Sequence, residues 1–354
     1  MKTRLIVSIS IFAVVVTACG VQPTPSPAPS GPRRLTVLTH ESFVLSEDVL
    51  RQFESANNAT LQFIKQPDAG QALTRAILTK DNPEADVLFG VDNTFMSRAL
   101  DAGILDAYAP PGLAETPAEF KLDSSSRLTP IDFGDVCLNY DKSYFAAKNL
   151  PPPQSLADLV KPDYKDLLVV ENPAGSSPGL AFMLASVSVF GEAGWLDYWR
   201  QLKDNGVKVV EDWSAAYYTE FSASSGKGPR PIVVSYASSP PAEVVYADPP
   251  IDEPPTAAVT GPGACFRQVE FAGILTGTKN RDLAEKWIDF MLSVPYQEDV
   301  PLNQFVYPVN PQAKLPEVFV KHSKIAEQPA VLPPEAIAAN RDRWIEQWTE
   351  TVLK

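Results

Sequence analysis

Short apolar runs alternate with amphipathic helical periods along most of the chain. LTVLTH (35–40), ATLQFIK (59–65) and ADVLFG (85–90) read as strands, the first of them buried. Between the first two lies SEDVLRQFESAN, a helical period with Ser46 placed as its N-cap. Helical spacing also covers 70–80, and VDNTFMSRALDAG runs from the third strand into another helix. Such alternation predicts a mainly parallel sheet covered by helices on both faces. Ligands of these sheets sit beyond the carboxyl ends of the strands, which here carry Thr39-His40-Glu41-Ser42, Gln66-Pro67-Asp68 and Gly90-Val91-Asp92-Asn93.

Two strand-like runs are much longer, LTPIDFGDVCLNYDK (128–142) and FRQVEFAGILTG (266–277). Each is long enough to cross from one lobe to another, the second as the return. Between them come a strand at LLVVENP (167–173), two helical periods in LAFMLASVSVF and GEAGWLDYWRQLKDNG, and a strand at VKVVED. A helix–strand unit follows, DWSAAYYTEF (212–221) and VVSYASSP (233–240). The breaker-rich stretches 223–230 and 248–263 read as loops. RDLAEKWIDFMLS and PPEAIAANRDRWIEQWTETVLK read as helices, and Trp344 and Trp348 share one face of the second as a docking surface. There is no internal repeat. The pattern predicts two α/β lobes, each a sheet flanked by helices, joined by crossing strands that serve as a hinge.

The first residues have a different logic. Lys2 and Arg4 precede an apolar segment from Leu5 to Val16, and Val16-Thr17-Ala18-Cys19 matches a bacterial lipoprotein signal. Residues 1–18 are thus expected to be a signal peptide, and 19–33 a lipidated Cys19 followed by a Pro/Ser-rich tether. The folded part divides into 34–130 with 268–305 as one lobe and 131–267 with 306–354 as the other. The mature protein is expected outside the cytoplasmic membrane, held by its lipid, as a monomer.

The 354 residues are 45% hydrophobic and 21% charged, which suits a large core. A formal net charge of -13 argues against nucleic-acid binding and favours cationic ligands. No His/Cys group has zinc spacing, so neither a metal nor a cofactor is expected. With Cys19 lipidated, Cys137 and Cys265 remain. In an exported protein they could form a disulfide or stay as buried thiols, and the sequence leaves both open.

Gly175-Ser176-Ser177-Pro178-Gly179 matches the G-x-S-x-G of a hydrolase nucleophile elbow. The residue after Ser177 is proline, however, and cannot donate an oxyanion-hole N–H. Only His40 and His322 could serve as base. A helix N-terminus fits better, with Ser177 as cap, Pro178 at N1, and hydroxyls and N–H groups to hold a ligand oxygen or phosphate. His40 could be a base, a metal ligand or a stacking surface. Asp68 could meet an amino group or be a solvated loop residue. Trp213, Tyr217, Tyr218 and Tyr236, beside Ser235, Ser238 and Ser239, suit a flat cationic ligand or an ordinary core.

Nine segments in register, LTVLTHESF, ADVLFGVDN, PPPQSLADLV, NPAGSSPGL, DWSAAY, VVSYASSP, QVEFAG, FVYPV and PPEAIAANRDRWIEQW, make the chain resemble the thiamine-binding proteins of bacterial ABC importers. These stand within the two-lobe group that includes iron(III)-binding proteins. The resemblance implies a type II periplasmic-binding-protein-like fold, no enzymatic activity, and thiamine or a thiamine phosphate held between the lobes for delivery to permease and ATPase subunits. It places Asp68 as the acidic residue that meets the ligand and Trp213 and Tyr236 as aromatic walls. Ser176, Ser177 and Ser239 become polar contacts, with Tyr217, His40 and Phe305 also at the site. His40 stands where the family pattern has Tyr, Phe305 where it has Trp, and Ala242 where it has Tyr, and Tyr246 is the neighbour that could compensate. Alternatives are an iron(III) or polyamine carrier, or an esterase using Ser177. The iron site resembles one with two adjacent tyrosines after IVVSY, where only Tyr236 stands.

Overall fold

The computed structural model describes residues 31–223 and 227–354. The expected signal peptide, Cys19 and most of the expected tether lie outside the described residues, as do three residues of the 223–230 loop. In chain order the elements are β1 (Arg33–His40), α1 (Glu47–Asn57), β2 (Ala59–Gln66), α2 (Ala69–Leu78), β3 (Val87–Asp92), α3 (Met96–Asp101) and β4 (Leu105–Asp106). Next come β5 (Thr129–Asp141), α4 (Lys142–Lys148), β6 (Leu168–Glu171), α5 (Ser177–Asp204) and β7 (Lys208–Val210). A π-helical turn (Ala215–Glu220) leads to β8 (Ile232–Tyr236), α6 (Pro240–Val245), β9 (Thr256–Val259) and β10 (Phe266–Leu275). The chain ends with α7 (Arg281–Met291), α8 (Val294–Asn303), β11 (Tyr307–Pro308), α9 (Glu317–His322) and α10 (Pro334–Val352).

The main sheet runs β2-β1-β3-β10-β5-β8-β6-β7. Its two outer thirds are parallel: β1 pairs β2 and β3, and β6 pairs β7 and β8. The two long strands stand between them and run antiparallel to each other and to the adjoining strands β3 and β8. The division follows from composition. β3 and β6 are buried throughout and must be covered on both faces, which parallel crossover units provide. β5 gives its first half to β10 and its second half to β8 and β9. The result is a two-lobe α/β fold hinged on two crossing strands.

Cys137 and Cys265 follow directly from the Val136–Phe266 pair of β5 and β10, and they are disulfide-bonded with Cα atoms 4.3 Å apart. Strand register brings together two cysteines 128 residues apart, a pairing that composition could only permit.

Several local expectations needed correction. Within the 248–263 stretch, Thr256–Val259 forms β9, because β5 offers it a free edge. The two helical periods before β7 hold: α5 is two helical segments that meet at Gly191, whose φ of 66° is not helical. DWSAAYYTEF contains a π-turn instead of a regular helix. α8 was hidden by Pro295 and Pro301. The docking face of the last helix holds: Trp344 and Trp348 are buried, and Trp348 meets Trp199 of α5 edge-on.

Candidate functional site

A cavity of about 490 Å³ lies between the strand ends of the two lobes. One wall comes from the π-turn. Just ahead of it, the indole of Trp213 stacks on the ring of Tyr217 at 4.9 Å and 18°, with Tyr218 edge-on at 5.2 Å. Trp213 Nε1 donates to Ser235 Oγ, and Ser235 and Ser239 share a hydrogen bond of 2.8 Å. The serines therefore position the indole from behind. Tyr217 is 2% exposed and donates its hydroxyl to Glu243, so most of its ring is core and only part meets the cavity.

Another part of the lining comes from the loop after α8. Phe305 adopts a left-handed φ of 55°, its carbonyl accepts from Ser238 Oγ, and its ring packs edge-on against Tyr246 at 5.6 Å. Tyr246 is 67% exposed and lines the cavity, whereas Ala242 adds no ring.

Asp68 sits at the junction of the lobes. It caps α2 in a capping box with Gln71, and its Oδ1 accepts from the N–H groups of Ala69 and, across the junction, Ser177. Burial pushes its carboxyl up to about 6, against the stabilising hydrogen bonds from Ser177, Ser176 and Ala69. Ser177 Oγ donates to Asp92 Oδ2 at 2.5 Å, and Gln268 donates to the same oxygen. Gln268 in turn accepts from the Tyr236 hydroxyl. Two carboxylates of the first lobe thus hold one serine of the second. Close approach of the backbones reinforces this junction: a Cβ on Gly70 would lie 2.6 Å from the carbonyl oxygen of Gly175.

The helix cap is Ser176, whose hydroxyl accepts from Gly179 N, and not Ser177 as the sequence suggested. Ser176 is fully buried and does not line the cavity. The other eight proposed residues, His40, Asp68, Ser177, Trp213, Tyr217, Tyr236, Ser239 and Phe305, all line it. Ala174, Gly175, Ser176, Ser177, Gly179 and Leu180 all have intramolecular partners for their N–H groups, and Pro178 has none to offer. The Ser177 hydroxyl is engaged by Asp92 and not by a histidine, and Pro178 offers no N–H at the oxyanion position.

Sequence reasoning missed Glu270 as a site residue. It lies in the QVEFAG segment, and an acidic residue in an otherwise buried strand was the available signal. It lines the cavity with its Oε1 3.7 Å from His40 Nε2. Burial pushes Glu270 well above the usual carboxylate range, and neighbouring Asp132 adds to this. His40 is held down at about 4, chiefly by burial and also by Lys65, so it is neutral at physiological pH. Its ring rests 5.9 Å from Phe89, and it occupies space left by Gly90, which has no Cβ and a φ of 97°. Among the described residues no lysine or arginine lines the cavity.

The model of the family described as bacterial extracellular solute-binding protein matches residues 82–325. A thiamine-binding periplasmic protein of Brucella abortus is 30% identical over 360 aligned positions, covering 98% of each chain. One from Escherichia coli K12 is 31% identical over 328 positions, covering 90% of this chain and 94% of that protein. Among solved structures, a periplasmic thiamin binding protein superposes with a TM-score of 0.79 at 27% identity, covering 91% of this chain and 99% of the other.

Proposed function

Since the chain belongs to the bacterial extracellular solute-binding proteins, we propose that it binds thiamine between its lobes and delivers it to the permease of an ABC importer. The observation that carries this reading is the cavity lining: flat aromatic faces, two buried carboxyl groups and, among the described residues, no lysine or arginine. Thiamine is a permanent cation with two flat rings, which aromatic walls attract by stacking and cation–π contact. The names of the relatives agree. The two proposed rigid bodies are 34–130 with 268–305 and 131–267 with 306–354.

Unphosphorylated thiamine is the preferred form in this reading. A phosphate is best received by free N–H groups at a helix start or by basic side chains. At the start of α5 the N–H groups are engaged, and Asp68 stands beside them. Ser177 and Ser239 remain as polar contacts for the hydroxyethyl end. An iron(III) ligand is disfavoured because Tyr236 is followed by Ala237, not a second tyrosine.

Trp213→Ala should weaken thiamine binding about tenfold, since a partly desolvated cation–π contact contributes roughly 0.5–2 kcal/mol. Titration calorimetry with thiamine, its monophosphate, spermidine and iron(III) tests the whole reading. A wild-type protein that takes up spermidine or iron(III) and ignores thiamine would overturn it.

Anchoring through Cys19 belongs to the same proposal and rests on the Val16–Cys19 signal. Metabolic labelling with a fatty-acid analogue should mark the wild-type protein and leave Cys19→Ala unmarked. Equal labelling of the two would remove the anchor.

A further inference from the structure

The register of the crossing strands places Glu270 of β10 directly opposite Asp132 of β5. Asp132 is fully buried and Glu270 is 8% exposed, at the floor of the cavity. No donor from another described residue reaches either oxygen of Asp132, whose polar partner is the Glu270 carboxyl. Two buried carboxylates in contact without a cation do not both ionise, and one proton held between them resolves the conflict.

Among the described residues no lysine or arginine lines the cavity beside the pair. His40 of β1 approaches Glu270 but is neutral, and its Nε2 makes no hydrogen bond. Asp68 at the start of α2 and Asp92 at the end of β3 add negative field. Tyr236 of β8 and Tyr296 of α8 face the pair and stay protonated, their hydroxyls pushed up first by burial and then by these carboxyls.

We propose that Asp132 and Glu270 form a proton-sharing carboxyl pair in the cleft floor, which releases its proton when an organic cation binds. This rests on the cationic ligand proposed above. Without ligand, the shared proton keeps the buried pair from carrying two charges. A cation in the cavity supplies the missing counter-charge, so the proton leaves to solvent and the ionised pair holds the ligand. Atoms and charge balance: one cation enters and one proton departs. A neutral ligand of the same shape gains nothing from this exchange, so the pair selects for charge. Affinity should rise with pH, by up to about tenfold per unit where the pair is protonated, because each ligand bound displaces about one proton.

Calorimetric titration of wild-type protein with thiamine at neutral pH, in phosphate and in Tris buffer, tests this. The observed enthalpies should differ by the difference between the two buffers' ionisation enthalpies times a proton number near one. The proton number should fall to near zero in both Glu270→Gln and Asp132→Asn, each nearly isosteric. Binding of thiamine by the wild type with equal enthalpies in the two buffers would overturn the proposal, as would proton release that persists in both carboxamide variants. If the wild type binds no thiamine, the ligand reading of the preceding section fails, and the pair is read directly. The infrared band of protonated carboxyl groups should then be weaker in Glu270→Gln than in wild type, and equal bands sink the pair.

Discussion

Asp68→Ala should weaken thiamine binding about a hundredfold or more, since it removes a charge-assisted contact contributing roughly 1.5–3 kcal/mol and strands a buried N–H that costs roughly 1–3 kcal/mol. The stranded group is the N–H of Ser177, which Asp68 accepts at 3.0 Å across the junction of the lobes. The loss therefore falls on the closed arrangement that holds the ligand. The same carboxylate caps α2, so the variant should also lose about 1 kcal/mol of stability. Asp68→Asn separates the two effects. Its amide oxygen still accepts from Ala69 and Ser177, so stability should stay near wild type while the lost charge lowers affinity by about tenfold. Calorimetric titration with thiamine and thermal denaturation, on both variants, give the two readouts. Wild-type affinity in Asp68→Ala would show that this carboxylate neither meets the ligand nor holds the lobes.

The second large effect concerns the hinge. Replacing Cys137 and Cys265 together by alanine should lower stability by about 2–5 kcal/mol, the range for a native cross-link that closes a loop of this length. The loop spans 128 residues and contains the whole segment between the crossing strands. Alanine is the appropriate replacement because both positions are fully buried and a serine hydroxyl would need a new partner. Thiamine affinity should change less than about threefold, because neither cysteine lines the cavity and the β5–β10 ladder still sets the register. Denaturant unfolding under oxidising conditions measures the first quantity and calorimetry the second. A stability loss under about 1 kcal/mol would mean that the ladder alone holds the hinge.

Much of the first lobe could be read before any coordinates. Ser46 ahead of a helical period, and the apolar runs at β1 and β3, leave little choice once the periods of 3.6 and 2 are recognised. The crossing strands were legible by their length. The cavity residues were legible only in part and by analogy. Trp213 and Tyr236 lie in recognisable segments, but neither the π-turn nor the stack of Trp213 on Tyr217 has a signature in DWSAAYYTEF. The identity of the α5 cap was one residue off, because Ser176 and Ser177 are equivalent cap formers and only the fold assigns them. Asp68 looked like a loop aspartate, and its burial exists only because the start of α5 packs on top of it.

The sequence by itself determined the alternation of strands and helices, the two long crossings and the acidic, aromatic character of the chain. These depend on neighbours a few residues apart, where periodicity and propensity act directly. Tertiary structure alone decided the pairing of Cys137 with Cys265, the opposition of Asp132 and Glu270, and the engagement of Ser177 by Asp68 and Asp92. Each joins residues roughly 85 to 140 positions apart, and the sign of their interaction depends on distance and burial. A carboxylate is a solvated charge on a loop and a proton-holding acid in a cleft floor, and only the packing around it chooses between the two.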